Sequence, residues 1–233
     1  MNSTSLITVA WGNQYKVVIP RWWHYIERIR IKPDEIIIAH HPDDDTGVRE
    51  LVEQHKDYNI KLVECYERNY AKMANTAIEA VTSEWFIPIG FDDFLYPNAL
   101  DFQKIVKPDV DIVLASRDIT RDNIFVETRE KDFRKFNRFL QPTANWASLS
   151  KGFEDHRVFH NSPIRKSLWK RLGGYPDYII ADWAFFLIAL QNNVKVQHWC
   201  AVTILQYCNP KTLSQSEEAY EEIANLRKSM GLE

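Results

Sequence analysis

Two adjacent carboxylates end one of the most strand-like stretches of the sequence. Asp92 and Asp93 follow the apolar run at residues 85–89 and Gly90. β-Branched and aromatic residues in such a run are typical of a strand buried on both faces, and open α/β sheets bind ligands at the carboxyl ends of their strands. Paired carboxylates there suit Mg²⁺ or Mn²⁺, which neutralises charge on phosphate groups. An equally good interpretation is that one aspartate caps a helix that Pro97 helps to begin.

A further carboxylate, Asp182, precedes a second apolar stretch. Residues 183–190 are apolar on nearly every side, which predicts a helix buried in the core. The longer segment 178–190 is too short to cross a bilayer, which takes about 20 residues. Aspartate directly before a helix is a common N-cap, so a structural role for Asp182 stands beside any chemical one.

The elements that would position these groups alternate along the first hundred residues. Apolar runs predict strands at 6–11, 35–39, 59–64 and 85–89, and the intervening segments predict helices at 20–31, 46–54 and 70–81. This alternation predicts a mainly parallel sheet with right-handed crossovers. The strand ends should therefore bring together residues 11–13, 40–45 and 90–93.

The rest of the chain has a less regular pattern. A fifth strand is predicted at 111–115, a helix from Ser162 to Leu172, one or two strands within 194–207 and a last helix after the capping box Ser214–Glu217. Residues 116–152 lack a clean period. The charged segment 129–138 within them favours a surface helix, with an acceptor-binding flap as the alternative.

Composition favours a single globular domain over residues 1–233. The 233 residues are 45% hydrophobic and carry a net charge of −3, which excludes a disordered chain and gives no overall basic field for nucleic acid. The three cysteines show no metal-ligand spacing. No signal sequence or membrane-spanning segment is evident, so we expect a cytoplasmic protein that meets a membrane only through a surface or a partner.

Two groups of motifs, in this order and spacing, resemble the family-2 glycosyltransferases of the GT-A fold. The first comprises Asn-Tyr-Ala-Lys-Met-Ala-Asn at 69–75, Ala-Val-Thr-Ser-Glu-Trp-Phe at 80–86 and Phe-Asp-Asp-Phe-Leu-Tyr-Pro-Asn-Ala-Leu at 91–100. The second is Gly-Gly-Tyr at 173–175 with Ala-Asp-Trp-Ala-Phe at 181–185. The resemblance covers residues 6–100 and 159–216.

The resemblance implies an α/β fold with a single GT-A-like, Rossmann-like domain, its mainly parallel central sheet flanked by helices. Residues 1–100 would form the nucleotide- and metal-binding half and residues 101–233 the acceptor-binding half. Asp92 and Asp93 would hold the metal, and Asp182 would be the general base. The residues expected to line the nucleotide site are Trp11, Asn13, His40, His41, Asp45, Asn75 and Asp92.

The sequence also departs from the family's pattern at three places. Gly90 stands where the family's acidic motif usually has its first aspartate. His40 and His41 follow the second strand, where an aspartate typically meets the nucleotide base. Residues 207–211, with Lys211 as the only cation, replace a segment that often bears arginine and histidine.

We therefore predict transfer of a sugar from a nucleotide-diphosphate sugar, most simply a UDP-sugar, to an acceptor hydroxyl. The predicted reaction is a metal-dependent, inverting single displacement with Mn²⁺ or Mg²⁺. Such a reaction needs one acidic site for the cation and one for the base, and the sequence offers both. The acceptor could be a glycan, a lipid-linked sugar, a protein or a modified nucleic-acid base. The alternatives are a non-catalytic module that binds nucleotide sugars or glycans, and a nucleotidyltransferase. The latter is disfavoured because no glycine-rich loop follows the first strand.

Overall fold

The computed structural model describes residues 2–120, 136–139, 161–207 and 216–231. Within them one mixed sheet has helices packed on both faces. The strands are β1 (Thr4–Ala10), β2 (Glu35–His40), β3 (Ile60–Glu64), β4 (Trp85–Pro88), β5 (Phe94–Leu95), β6 (Ile112–Thr120), β7 (Phe136–Phe139), β8 (Ile164–Arg165) and β9 (Val196–Tyr207). The α-helices are α1 (Ile19–Glu27), α2 (Val48–Gln54), α3 (Tyr70–Ala80), α4 (Lys166–Leu172), α5 (Ala181–Gln191) and α6 (Glu217–Ser229), and two short 3₁₀ helices span Gln14–Val17 and Asp101–Lys104.

The first four strands form the parallel part of the sheet. Their spatial order is β3-β2-β1-β4, and each neighbouring pair is parallel. Every residue of β1, β2 and β4 is buried, as expected for strands covered on both faces. The predicted alternation of strand and helix over the first hundred residues is confirmed, and the carboxyl ends of these strands lie at one edge.

The second half of the sheet is mixed. β8 runs antiparallel to β4 and β6, β9 runs parallel to β6, and β5 is antiparallel to β9. The expectation of a mainly parallel sheet thus holds for β1 to β4 and for the pair β6 and β9, whereas β5, β7 and β8 are antiparallel to their neighbours. Local sequence does not show this difference, because strand direction here is set by pairing between residues far apart in the chain.

Three local predictions are corrected by the structure. Residues 136–139, predicted as part of a surface helix, form β7 and pair with β6. The chain after Pro97 makes turns and the 3₁₀ helix at Asp101–Lys104, whose N-cap is Leu100, so neither Asp92 nor Asp93 caps a helix there. Helix α4 begins at Lys166 and not at Ser162, because the intervening Ile164 and Arg165 pair with β4.

The core lies in two layers, one on each side of the sheet. Helices α1 and α2 cover one face, and α3, α4 and α5 cover the other. The stripe predicted for α3 is confirmed, since Met73, Ala74, Ala77 and Ile78 are fully buried. Burial of each large aliphatic or aromatic side chain contributes about 1.5–3 kcal/mol to folding. Helix α5 is buried on almost all sides because α6 covers the face that is turned away from the sheet.

In the described part of the chain, no helix is long and apolar enough to cross a membrane.

Candidate active site

Asp92 lies in the turn between β4 and β5, at the carboxyl edge of the parallel strands. The Asp93 backbone N–H donates to the Gly90 carbonyl at 3.2 Å and closes this turn. The Asp92 carboxylate lies over Gly90 so closely that a Cβ atom on Gly90 would be 2.3 Å from Asp92 Oδ1. A side chain at position 90 would displace the Asp92 carboxylate. Gly90 therefore leaves room for the Asp92 carboxylate. The motif of the resembled family usually has an aspartate at this glycine's position.

Two tyrosines flank Asp92. Burial, followed by the charge of Asp92, raises the pKa of Tyr15 to about 12. Burial and the same charge also raise the pKa of Tyr207 at the end of β9. The charge of Asp92 thus acts on the segment after β1 and on the end of β9, and both phenols remain protonated at neutral pH.

Asp93 is buried, with 2% of its surface exposed. Its Oδ2 accepts a hydrogen bond from Asn161 Nδ2 at 3.0 Å, and its Oδ1 accepts one from the Tyr207 backbone N–H at 3.1 Å. Both oxygens therefore join the turn after β4 to other parts of the chain. These contacts give Asp93 a structural role, and its role as a second metal ligand stays a prediction.

The charges of Asp182 and Asp93 both act on Tyr70, the first residue of α3. Desolvation raises the pKa of Tyr70, and the charges of Asp182 and then Asp93 raise it further. The two carboxylates, which are far apart in sequence, are thus both close enough to act on one hydroxyl. The catalytic and metal-binding roles that the motifs predict for these acidic groups stay predictions.

Asp182 is the second residue of α5 and not its N-cap, which is Ile180. Its Oδ1 accepts the adjacent Trp183 backbone N–H at 2.8 Å, and the residue is half-buried. A carboxylate in the first turn is stabilised by the positive end of the helix dipole, which favours its ionised form. The N-cap interpretation is therefore wrong in detail, although a helix-stabilising contribution remains.

The loops after β1 and β2 are held together by Asp44. Its Oδ2 accepts the Gly12 N–H at 2.7 Å, and its two oxygens accept Arg68 Nη2 at 2.6 Å and Nε at 3.2 Å. The hydrogen bonds from Arg68 and Gly12 hold the pKa of Asp44 at about 2. Sequence reasoning missed Asp44 and Arg68, because nothing local distinguishes Asp44 from its neighbours Asp43 and Asp45.

The predicted nucleotide residues around this junction differ in exposure. His40 and His41 are buried at the end of β2, and desolvation lowers the pKa of His40, which is therefore neutral at physiological pH. Trp11 is half-buried, whereas Asn13 is exposed. The Asp45 side chain is 71% exposed and pairs with Lys16. All five lie at the strand ends, so their roles in nucleotide binding remain predictions.

Asn75 is already engaged within the protein. Its Oδ1 accepts the Tyr175 backbone N–H at 2.8 Å and Trp169 Nε1 at 3.0 Å, and its Nδ2 donates to the Tyr175 carbonyl at 2.8 Å. Both lone pairs of Oδ1 are used in this way. A nucleotide that donated a hydrogen bond to Oδ1 would compete with these bonds, so a direct contact without competition would have to use the second N–H of Nδ2.

A cavity of about 370 Å³ lies between α1 and α2. Lys16, Trp23, Glu50 and His55 are among the residues that line it, and none of the predicted site residues does. The cavity is therefore separate from the acidic edge.

The acidic edge offers few side chains to a divalent metal. No group of three or more histidine, cysteine, aspartate or glutamate side chains close enough to share an ion is present in the described ranges. Asp92 is half-buried, whereas Asp93 is buried and its oxygens accept hydrogen bonds from Asn161 and Tyr207, so Asp92 is the more accessible of the two predicted ligands. One carboxylate fits a metal that is shared with phosphate oxygens and water, which is how Mg²⁺ is commonly bound beside nucleotides. Lys211 lies outside the described residues.

The fold and this edge define a GT-A-like protein, an α/β domain with a mixed sheet and an acidic site at the ends of its parallel strands. The chain belongs to glycosyl transferase family 2, whose model matches residues 5–173. The predicted family and fold class are thereby confirmed. The match ends before Tyr175 and Asp182, so it does not bear on the proposed base. No curated protein sequence matches the chain.

Solved structures show the same fold at low sequence identity. TarS 1–349 from S. aureus in complex with UDP-GlcNAc has a TM-score of 0.72 and 14% identity, over 96% of this chain and 65% of TarS 1–349. Mannosyltransferase PcManGT from Pyrobaculum calidifontis in complex with GDP-Man and Mn²⁺ has a TM-score of 0.61 and 19% identity, over 97% of this chain and 61% of PcManGT. The chain thus spans less than two thirds of each of these proteins.

Proposed function

We propose that the protein transfers a sugar from a nucleotide-diphosphate sugar to an acceptor hydroxyl. The match of residues 5–173 to glycosyl transferase family 2 carries this proposal, and the influence of the Asp93 and Asp182 charges on Tyr70, with Asp92 next to Asp93, supports it. This arrangement offers one acidic position for the departing diphosphate and another for the incoming hydroxyl. Proton removal and charge neutralisation at the leaving group are the two needs of such a transfer.

Asp92 is the proposed ligand for Mn²⁺ or Mg²⁺, with Asp93 holding the turn in place. When bound, the cation would neutralise charge on the diphosphate. The half-buried position of Asp92 over Gly90 supports this assignment, as does the complex of PcManGT with GDP-Man and Mn²⁺.

The loops after β1 and β2 are the proposed position of the nucleoside. Trp11, Asn13, His40 and His41 lie there, with Asp45 at the exposed rim. The bonds from Asp44 to Gly12 and Arg68 hold the loops together before any ligand arrives. A UDP-sugar is the proposed donor, supported by the complexes of TarS with UDP-GlcNAc and with UDP.

Asp182 is the proposed general base of an inverting single displacement. As the acceptor oxygen bonds to the anomeric carbon, the bond from that carbon to the diphosphate oxygen breaks and the acceptor proton passes to Asp182. No covalent enzyme intermediate is required. The position of Asp182 at the start of α5 favours its ionised form, as a base requires.

A second candidate is a module that binds nucleotide sugars without turning them over. Two observations favour it, namely the glycine at position 90 and the engagement of Asp93 by Asn161 and Tyr207. Both reduce the number of carboxylates that can hold a cation.

Nucleotide binding tests the shared part of both candidates. Thermal unfolding of the purified chain would be followed with UDP, GDP, ADP or CDP, each with Mn²⁺ or with EDTA. Saturation at 100 times Kd stabilises a protein by about 2.7 kcal/mol. We expect the largest shift with UDP and Mn²⁺, its loss in Asp92→Asn, and its retention in the control Asp109→Asn, whose side chain is 65% exposed. Equal shifts in EDTA would contradict a metal-bridged donor, and no shift with any nucleotide would contradict nucleotide-sugar binding.

A further inference from the structure

The segment between α4 and α5 leads directly to Asp182. It comprises residues 173–180 and is called the pre-α5 segment here. Gly173 and Gly174 begin it with φ angles of +82° and +89°, so the chain leaves α4 in a left-handed conformation that glycine adopts readily. Ala181 and Asp182 then open α5. The position of Asp182 therefore depends on how firmly this segment is held.

Asn75 binds the pre-α5 segment through its backbone. The Asn75 side-chain amide accepts the Tyr175 N–H and donates to the Tyr175 carbonyl, both at 2.8 Å, so two hydrogen bonds hold the backbone of one residue. A Cβ atom on Gly174 would lie 3.0 Å from Asn75 Oδ1, so glycine is also needed for this close approach. The bond from Trp169 Nε1 to Asn75 Oδ1 ties α4 to the same amide.

A second asparagine on the same helix binds the segment further along. Asn69 is the N-cap of α3, where its Oδ1 accepts the Lys72 N–H at 3.1 Å. Its remaining amide group donates from Nδ2 to Asp177 Oδ1 at 2.9 Å. The amides of Asn69 and Asn75 thus fix two points of the pre-α5 segment to the helix that runs into the Asp92 turn through β4.

Tyr175 connects the backbone held by Asn75 to helix α5. Its ring packs against Phe185 at a centroid distance of 5.0 Å, and Phe185 lies on α5 one turn after Asp182. Only 3% of Tyr175 is exposed, and its hydroxyl has no hydrogen-bond partner among the described residues. Burial raises the pKa of Tyr175 well above its usual value, with further contributions from Tyr70 and Asp182. The ring therefore lies within the electrostatic reach of Asp182.

We propose that Asn75, assisted by Asn69, is a positioning residue that sets the place of Asp182 relative to Asp92, and that it does not contact the nucleotide. This proposal rests on the proposed function, in which Asp182 is the base. A displacement of about 1 Å at a reacting group can reduce the rate by about 10²-fold. Loss of the two hydrogen bonds from Asn75 to the Tyr175 backbone should therefore lower kcat.

Replacement of Asn75 separates the two roles. Asn75→Ala should lower kcat by about tenfold or more while the Kd for UDP with Mn²⁺ stays within about twofold of the parent value. Thr76→Ala is the matched control, because Thr76 is the next residue on α3 and, among the residues that the structure describes, its hydroxyl bonds only to the Lys72 carbonyl of the same helix, at 2.9 Å. A raised Kd with unchanged kcat would overturn the proposal and return Asn75 to the nucleotide site.

Amide hydrogen exchange gives a readout that does not require turnover. Asn75→Ala should accelerate exchange in residues 174–182 and leave β1 unchanged, because the local opening free energy falls only where the tie is lost. If Asn75→Ala shows this exchange pattern but the parent protein transfers no sugar, the proposed function is contradicted and the positioning role of Asn75 is supported. Unchanged exchange and unchanged kcat in Asn75→Ala would overturn the positioning role of Asn75 and leave the proposed function intact.

Variants at Asn69 and Asp177 test the positioning role of α3 even if Asn75→Ala fails to fold. Asn69→Ser retains a good N-cap and removes the bond to Asp177. Asp177→Ala removes the same bond from the other side without touching α3. Both variants should accelerate exchange at residues 175–182 and lower kcat with little change in Kd for UDP with Mn²⁺. Parent-like exchange in both would overturn the proposal for Asn69.

Discussion

Asp182 holds a helix-stabilising position and is also the proposed base, and asparagine separates the two contributions. Loss of the charge in the first turn of α5 should cost about 0.3–1 kcal/mol, because Asn has no net charge to interact with the helix dipole. Loss of a general base lowers the rate by about 10²–10⁴-fold. We therefore expect Asp182→Asn to fold, to bind donor nearly as the parent does and to transfer sugar at least about a hundredfold more slowly in a steady-state assay.

Glu217→Gln is the control for this comparison. Glu217 is an exposed acid in the first turn of α6, so the variant loses a similar dipole interaction away from the acidic edge. Parent-like transfer by Asp182→Asn would refute its assignment as the base.

Asp92 and Asp93 are adjacent in sequence, yet their variants should differ. Asp93→Asn places an N–H group opposite Asn161 Nδ2 or the Tyr207 N–H, so at least one buried bond to a charged acceptor is lost. Such a loss costs about 1.5–3 kcal/mol and should lower the midpoint of urea unfolding. Asp92→Asn should leave that midpoint nearly unchanged and remove the dependence of donor binding on Mn²⁺. A larger stability loss in Asp92→Asn than in Asp93→Asn would contradict this division of roles.

At this scale the sequence identified residue types better than residue roles. The motif at 91–93 correctly placed two acids at the end of a strand, but a pair of equal carboxylates cannot reveal which one is bonded by Asn161 and Tyr207. The same limit applies to residues 43–45, where only the fold shows that Asp44 turns inward to Gly12.

A polar cluster joins the elements at the opposite end of the parallel strands. Glu35, at the start of β2, is 1% exposed. Its carboxylate accepts hydrogen bonds of 2.6 Å from Ser5 Oγ, Lys61 Nζ and the Thr82 N–H, and one of 3.1 Å from the Ser83 N–H. These bonds join β1, β2, β3 and the turn after α3. Burial raises the pKa of Glu35, but the bonds from Lys61, Ser5 and Thr82 outweigh it and hold the pKa at about 2.

This cluster predicts a specific loss of stability in acid. Because the folded-state pKa of Glu35 lies below the unfolded value of 4.5, its contribution is complete above that value and is lost as the pH falls towards about 2. Glu35→Gln should lower the free energy of unfolding at pH 7 by about 1–3 kcal/mol, and its stability should fall less steeply than that of the parent between pH 4.5 and 2.

Urea unfolding at several pH values measures this difference. Glu53→Gln serves as the control, because the Glu53 side chain is 71% exposed and pairs only weakly with Lys56. Parallel pH dependence in the parent and Glu35→Gln would show that the cluster does not stabilise the fold.

Elements with a strong local pattern were predictable, and elements defined by distant pairing were not. The stripe of α3 and the buried runs of β1 and β2 follow from periodicity alone. By contrast, β7 and the full length of β9 arise from pairing with β6, including a register shift near Ser116. No feature of residues 136–139 by themselves reports that partner.

For the whole molecule, the sequence predicted the architecture and the convergence of acidic groups but not the contacts that join the two parts of the domain. Alternation of strands and helices placed residues 11–13, 40–45 and 90–93 at one edge, and the resemblance assigned the base to Asp182. The ties across the domain, such as those from Asn75 to Tyr175 and from Asn161 to Asp93, join residues about 70 to 100 positions apart. Such pairings become visible only when the chain is folded. The division at residue 100 into donor and acceptor halves remains a prediction.

Release of nucleoside diphosphate from nucleotide sugars tests the central claim most directly. The purified chain would be incubated with a panel of UDP- and GDP-sugars, Mn²⁺ and a mixture of simple glycan acceptors, and the released diphosphate would be quantified over time. The account predicts sustained release from at least one donor, abolished by EDTA and reduced at least about a hundredfold in Asp182→Asn. Donor binding without release in the parent, from any member of the panel, would contradict an enzyme and identify a binding module.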